Sequence, residues 1–279
     1  MLAFASKQPA HTRHVPWEIS PRLQHPARSK ISPVLSPAAA AFGDERVVNG
    51  YDCRPRSHPW QVYLTYSGGN RWCGGSLINQ RWVVSAARCA NARELEVHLG
   101  EHDTHKAEGT EQRFWVSKVI SHPYYNPRNL DNDIMLIQLS RYTQYVQPIA
   151  LPGRCPQTGE SRVVSGWGNT ITNGVPSGSL SPNSAAYPQV LRCLNQPVVS
   201  DAACRGAYPH LFTDNMVCSG FVEGGASGCQ GDSGGPLVCN GQLQGVVSWG
   251  YECAERGHPS VYVRVCRYTS WIDSVMSSN

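Results

Sequence analysis

Gly231-Asp232-Ser233-Gly234-Gly235-Pro236 is the string with the most chemical content in this 279-residue chain. Glycines on both sides of a serine allow a tight turn that exposes the hydroxyl. They also let backbone N–H groups point at a common spot, where they would stabilise an oxyanion. A glycine-rich surface turn has a similar composition, but it does not bracket a nucleophile in this way. A serine nucleophile needs a base, and the base needs an orienting acid. Asp133-Ile134-Met135-Leu136-Ile137 places a carboxylate at the entrance to an apolar strand. A buried aspartate there requires a cationic or N–H partner.

The elements that must position these groups are mostly strands. Gln61-Val62-Tyr63-Leu64, Trp82-Val83-Val84-Ser85, Leu95 to Leu99, Val163 to Trp167 and Ser260 to Val265 are short β-branched or alternating runs separated by turn residues. Many short strands with Gly and Pro punctuation predict a barrel or sandwich. Tyr268, Trp271, Ile272, Val275 and Met276 recur at helical spacing and predict one closing amphipathic helix.

Composition narrows the function classes. Hydrophobic residues are 41% and charged residues 16%, with 26 glycines and 20 prolines. The chain is too apolar for disorder and too loop-rich for a helical bundle. No run approaches the roughly 18 apolar residues of a membrane span, which argues against an integral membrane protein. The net charge is +4, and residues 1–46 hold +3 of it, leaving +1 for the other 233 residues. That balance argues against a nucleic-acid partner. Residues 1–46 contain six prolines and no cysteine, and read as an extended leader of low order. They are not a clear signal peptide. Met1 to Ser6 is too short for an apolar core, and the small residues Ala38 to Ala41 lack an apolar run ahead of them. Eleven cysteines point to disulfides in an oxidising compartment, and the odd count leaves one over.

From Val47 to Asn279 the chain resembles the trypsin/chymotrypsin family of secreted serine endopeptidases. The resemblance rests on Val47-Val48-Asn49-Gly50, Cys73-Gly74-Gly75-Ser76-Leu77, Asp131-Asn132-Asp133-Ile134-Met135-Leu136-Ile137, Ser165-Gly166-Trp167-Gly168, Gly231 to Pro236 and Val247-Ser248-Trp249-Gly250, all in order. It implies an all-β fold of two packed six-stranded antiparallel β-barrels with a C-terminal α-helix. The active site would lie in the cleft between them, with peptide or protein, substrate or inhibitor, as the partner. The implied division is a leader or propeptide-like segment, residues 1–46, and a trypsin-like domain, residues 47–279.

One position departs from the family. Its catalytic histidine lies in a Ser-Ala-Ala-His-Cys string, and here the string is Ser85-Ala86-Ala87-Arg88-Cys89. Arginine is a permanent cation with N–H donors and no acceptor, so Arg88 cannot take the Ser233 proton. It can still pair with Asp133. None of His58, His98, His102, His105, His122, His210 and His258 aligns to the base position. Two readings follow. The first is a pseudoprotease, with catalytic Ser233 and Asp133 in place and Arg88 where the base belongs. The alternative is an active secreted endopeptidase cleaving after apolar residues, residue 88 being a variant or an error.

The resemblance assigns the rest of the site. Gly231 and Ser233 would supply oxyanion donors. Cleavage after Arg46, by an Arg-directed protease, would free the Val47 ammonium to pair with Asp232. The specificity pocket would be Ser227, Gly250 and Ser260. Ser227 stands where basic-substrate enzymes carry aspartate, so a buried Arg or Lys would lack a counter-charge. Ser260 narrows one wall, and a medium apolar side chain is the expected fit. Glu101, Asp103, Lys106, Glu108 and Glu111 match the family's calcium loop, with three carboxylates and two backbone carbonyls for a structural Ca²⁺. Residues 169–186, rich in Ser, Gly, Pro and Asn, form a loop longer than the family norm, expected to be mobile. The expected protein is an extracellular monomer with no nucleic-acid or membrane partner.

The resemblance also implies five cysteine pairs: Cys73–Cys89, Cys155–Cys266, Cys193–Cys239, Cys204–Cys218 and Cys229–Cys253. Cys53 would then be unpaired, with Arg162 where its partner would lie.

Overall fold

The computed structural model describes residues 50–66, 69–91, 95–168, 188–224, 232–250 and 256–279. The elements in chain order are β1 (Tyr51–Asp52), β2 (Gln61–Tyr66), β3 (Asn70–Asn79), β4 (Trp82–Ser85), β5 (Glu96–Leu99), β6 (Gln112–Ser121), β7 (Met135–Leu139), β8 (Ser161–Gly166), β9 (Arg192–Pro197), α1 (Asp201–Ala207), β10 (Met216–Ser219), β11 (Pro236–Cys239), β12 (Gln242–Trp249), β13 (Ser260–Arg264) and α2 (Thr269–Ser278). Each of the five runs read as strands overlaps a strand, with Leu95, Trp167 and Val265 falling one residue outside, and the closing helix is α2. Among the described residues no helix is long and apolar enough to cross a membrane.

The first six long strands close into an antiparallel barrel, in the order β2-β3-β4-β7-β6-β5. Closure removes strand edges, and the inward side chains fill the interior. Val62, Leu64, Leu77, Val84, Val97, Leu99, Leu136 and Ile137 are all fully buried there. The second sheet has seven strands rather than six, ordered β1-β9-β8-β11-β12-β13-β10. The seventh is β1, two exposed residues added outside β9 through Tyr51↔Cys193. The other six curl until β9 and β10 meet. Val198 bridges Ser219, and Gly220 N–H donates to the Pro197 carbonyl at 3.0 Å. Val164, Leu194, Val217, Leu237 and Tyr262 fill this second core.

Helix α2 lays Ile272, with Trp271, Val275 and Met276, against the first core. Its spacing gives one apolar stripe, and burial of that stripe rather than helix propensity holds it. The sequence reading had no counterpart for α1. This seven-residue helix has too little periodic pattern to stand out. It is fixed locally: the Ser200 hydroxyl accepts the Ala203 N–H at 3.2 Å, and Cys204 is buried in a disulfide.

The disulfides correct one assignment. Cys73–Cys89, Cys155–Cys266 and Cys204–Cys218 form as expected, but Cys193 pairs with Cys53, and Cys239 is the free cysteine among the described residues. Strand pairing gives the reason. Cys53 N–H donates to the Leu191 carbonyl at 2.9 Å, continuing the β1–β9 ladder and bringing the two Cα atoms to 5.1 Å. Cys239 ends β11, whose Val238 pairs with Val163 of β8. The next pair along that register sets Cys239 against Arg162, so Arg162 replaces the partner of Cys239 and not of Cys53. Arg162 is 1% exposed, and its guanidinium is held by Glu160 and by the Ser161 carbonyl. Cys229 and Cys253 lie outside the described residues, as do residues 1–46 and 169–186.

Candidate active site

Three segments converge between the two sheets. A 3-10 turn, Ala87–Asn91, leaves β4 and carries Arg88. Asp133 precedes β7, and β4 pairs with β7 through Ser85↔Met135, which brings Arg88 and Asp133 side by side. Ser233 comes from the turn before β11, in the second sheet. Gly74 N–H, on β3, donates to the Ser233 carbonyl at 2.7 Å and ties that turn to the first barrel.

The turn needs its glycines. Gly234 has φ +83°, and a Cβ there would lie 2.6 Å from the Gly74 carbonyl oxygen and collide with the Ser85 hydroxyl. Asp232 is 3% exposed and accepts the Gly168 N–H at 2.8 Å. A Cβ on Gly168 would fall 2.5 Å from the Asp232 carboxyl carbon. The Ser165-Gly166-Trp167-Gly168 string is therefore the seat for that carboxylate, a role the sequence reading did not give it.

Asp133 is fully buried and well supplied with donors. Its Oδ1 accepts the Arg88 backbone N–H at 2.8 Å, and its Oδ2 accepts the Ser248 hydroxyl at 2.7 Å. Burial pushes its carboxyl above the usual range, opposed by the Ser248 hydroxyl and the Arg88 charge. Ser248, on β12, was also missed. It lay in a matched string, but nothing in its neighbours marks it as a carboxylate partner.

Arg88 joins the other two residues. Its Nε lies 3.7 Å from Asp133 Oδ2, and its terminal N–H donates to Ser233 Oγ. Burial lowers the guanidinium's affinity for its proton and Asp133 raises it, yet arginine stays cationic at neutral pH. A group of this kind holds the serine in place and cannot deprotonate it. No histidine compensates: among the described residues none hydrogen-bonds to Ser233 or Asp133. His58 packs edge-on against Trp60, His98 meets Thr65 Oγ1 at 2.9 Å, and His122 packs against Tyr268 and Trp271.

The other expected residues are only partly placed. Gly250 faces Ser260, with 3.9 Å between a Cβ at one and the Cα of the other. Ser227, Gly231, Arg46 and Val47 lie outside the described residues. In the acidic loop, Glu108 accepts the His102 N–H at 2.8 Å and Glu111 accepts the Gly109 N–H at 2.7 Å. Asp103 pairs with Lys106 at 3.0 Å. Burial raises the Glu101 carboxyl, and the charges of Glu111 and Glu108 raise it further. The loop gathers like charges without closing three of them into one ligand shell. Among the described residues that arrangement occurs only at Cys53, His58 and Cys193, whose sulfurs are joined in a disulfide.

The family model described as Trypsin matches residues 47–272. Trypsin-3 of Salmo salar is 54% identical over 239 residues, covering 85% of this chain and 95% of that protein. A trypsin of Xenopus laevis is 51% identical over 250 residues, covering 88% and 97%. The trypsin of Sus scrofa is 48% identical over 239 residues, covering 85% and 98%. The chain belongs to the trypsin family of serine proteases.

Proposed function

We propose that this chain is a secreted protease homologue whose cleft binds peptide without hydrolysing it. The observation that carries the reading is the hydrogen bond from Arg88 to Ser233. Hydrolysis requires the Ser233 proton to pass to an acceptor, and Arg88 offers donors alone. In a serine protease with the same triad logic, losing the histidine costs on the order of 10⁶ in kcat. Roughly 10³–10⁴ over water would persist from the oxyanion donors and binding.

The rest of the molecule serves binding as well as catalysis. Four disulfides among the described residues suit an extracellular protein. Cleavage after Arg46 by an Arg-directed protease would release the Val47 ammonium toward the buried Asp232. Ser227, Gly250 and Ser260 would accept a medium apolar side chain, and the domain would act as a monomer. The loop's donor set suits Ca²⁺: Glu101, Glu108 and Glu111 would hold it, with the carbonyls of Asp103 and Lys106. The ion would relieve the crowding that raises Glu101. Calcium at millimolar concentration should then raise the thermal midpoint of the chain but not of a Glu101→Gln variant.

A second reading, an active endopeptidase cleaving after apolar residues, draws on the intact support of Asp133 by Ser248 and the Arg88 backbone. It applies where residue 88 is histidine. A fluorophosphonate probe on the Arg46-cleaved protein separates the two. No labelling of Ser233 and no peptide turnover is the expected result. Rapid labelling with turnover sinks the non-catalytic reading.

A further inference from the structure

The substitution at position 88 does more than remove a base, because it reverses the direction of the hydrogen bond at the serine. With a neutral base, the serine hydroxyl donates. Here Ser233 Oγ accepts from Arg88, so its own proton must point elsewhere. Ser233 Oγ makes no other hydrogen bond among the described residues. Asp133 cannot draw it away. Its oxygens take the Arg88 N–H at 2.8 Å and the Ser248 hydroxyl at 2.7 Å, and it is fully buried. The negative charge is therefore buried beside Arg88, away from solvent. Arg88 itself is 28% exposed along its side chain, and beyond Ser233 its guanidinium donates no hydrogen bond among the described residues. Arg88 and Ser233, both partly exposed, thus offer an O–H donor, spare N–H donors and a cation.

Resting on the peptide-binding reading above, we propose that Arg88 and Ser233 form a carboxylate subsite, selecting peptides that end there in a free C-terminus. The chemistry distinguishes such ligands from internal segments. A peptide running through the cleft brings an amide N–H to this point, where it meets donors. A peptide ending there brings a second oxygen and a negative charge. A guanidinium presents parallel N–H groups that match a carboxylate, and partial burial strengthens the pairing. The ligands of this subsite are the acid products of other proteases.

The test compares one fluorescein-labelled tetrapeptide ending in leucine, as free acid and as C-terminal amide. Binding to the full chain is read by anisotropy, before and after cleavage following Arg46. The acid should bind at least tenfold more tightly than the amide. That preference should shrink in Arg88→Gln. Acid and amide binding equally, or neither binding up to millimolar concentration, overturns the proposal. The wild-type comparison needs no variant to fold, and circular dichroism checks that Arg88→Gln does. Hydrolysis of internal peptide bonds, followed in parallel, is the separate outcome that would remove the non-catalytic reading instead.

Discussion

The Ser248 hydroxyl donates to Asp133 Oδ2 at 2.7 Å across the boundary between the two sheets. Asp133 comes from the strand entrance in the first barrel, and Ser248 from β12 in the second. The contact keeps a carboxylate poised beside a position whose side chain carries no proton acceptor.

Arg88→His should therefore restore hydrolysis without other changes. The Asp133 oxygens would hold one imidazole nitrogen, and the other would face Ser233. Turnover of an apolar-directed peptide substrate by the Arg46-cleaved variant should rise by on the order of 10³ or more. An unchanged rate would show that more than the base is missing.

Ser248→Ala should destabilise the fold by about 1–3 kcal/mol, because a buried carboxylate loses a donor. Its loss should push the Asp133 carboxyl still higher. Urea unfolding at neutral pH checks the first effect. In the Arg88→His background, the same change should lower kcat.

Alkylation of the denatured, non-reduced protein should label the peptide that contains Cys239. The peptides of Cys53 and Cys193 should stay joined until reduction. Peptide mapping by mass spectrometry reads both. Cys53→Ser should expose Cys193 to the reagent and leave Cys239 labelled as before.

Two histidines should make the fold sensitive to mild acid. Burial brings His58 down to about 4, with the neighbouring His102 adding to the effect. Burial also brings His98 to about 4, helped by Arg113 and opposed by Glu96. Both are neutral in the fold and more basic when unfolded, with an unfolded pKa of about 6.5. Their contribution is complete above about 6.5 and is lost as pH falls toward about 4. Each should amount to on the order of 1–3 kcal/mol. In His58→Gln/His98→Gln, the urea midpoint should fall less between pH 7.5 and pH 4.5 than in the wild type.

Much of this was legible in the residues. Short β-branched runs mark β4 and β13, whose residues are buried on both faces, and the i, i+3, i+4 stripe marks α2, which buries one face. Ser233 and Asp133 stand out by their glycine and apolar flanks, and Arg88 only through the resemblance of Ser85-Ala86-Ala87-Arg88-Cys89 to the family's string. The Cys53–Cys193 bond was not legible. Connectivity depends on which strands are neighbours, and the two-residue β1 gives no periodic signal of its own. Ser248 and Gly168 escaped for a related reason. Their roles come from partners 115 and 64 residues away, at Asp133 and Asp232.

The contact that aligns residue 88 with Asp133 is made by its main-chain N–H, at 2.8 Å. Every residue except proline supplies that group, so this backbone alignment does not depend on which side chain residue 88 carries. A histidine at this position would keep the same backbone contact to Asp133.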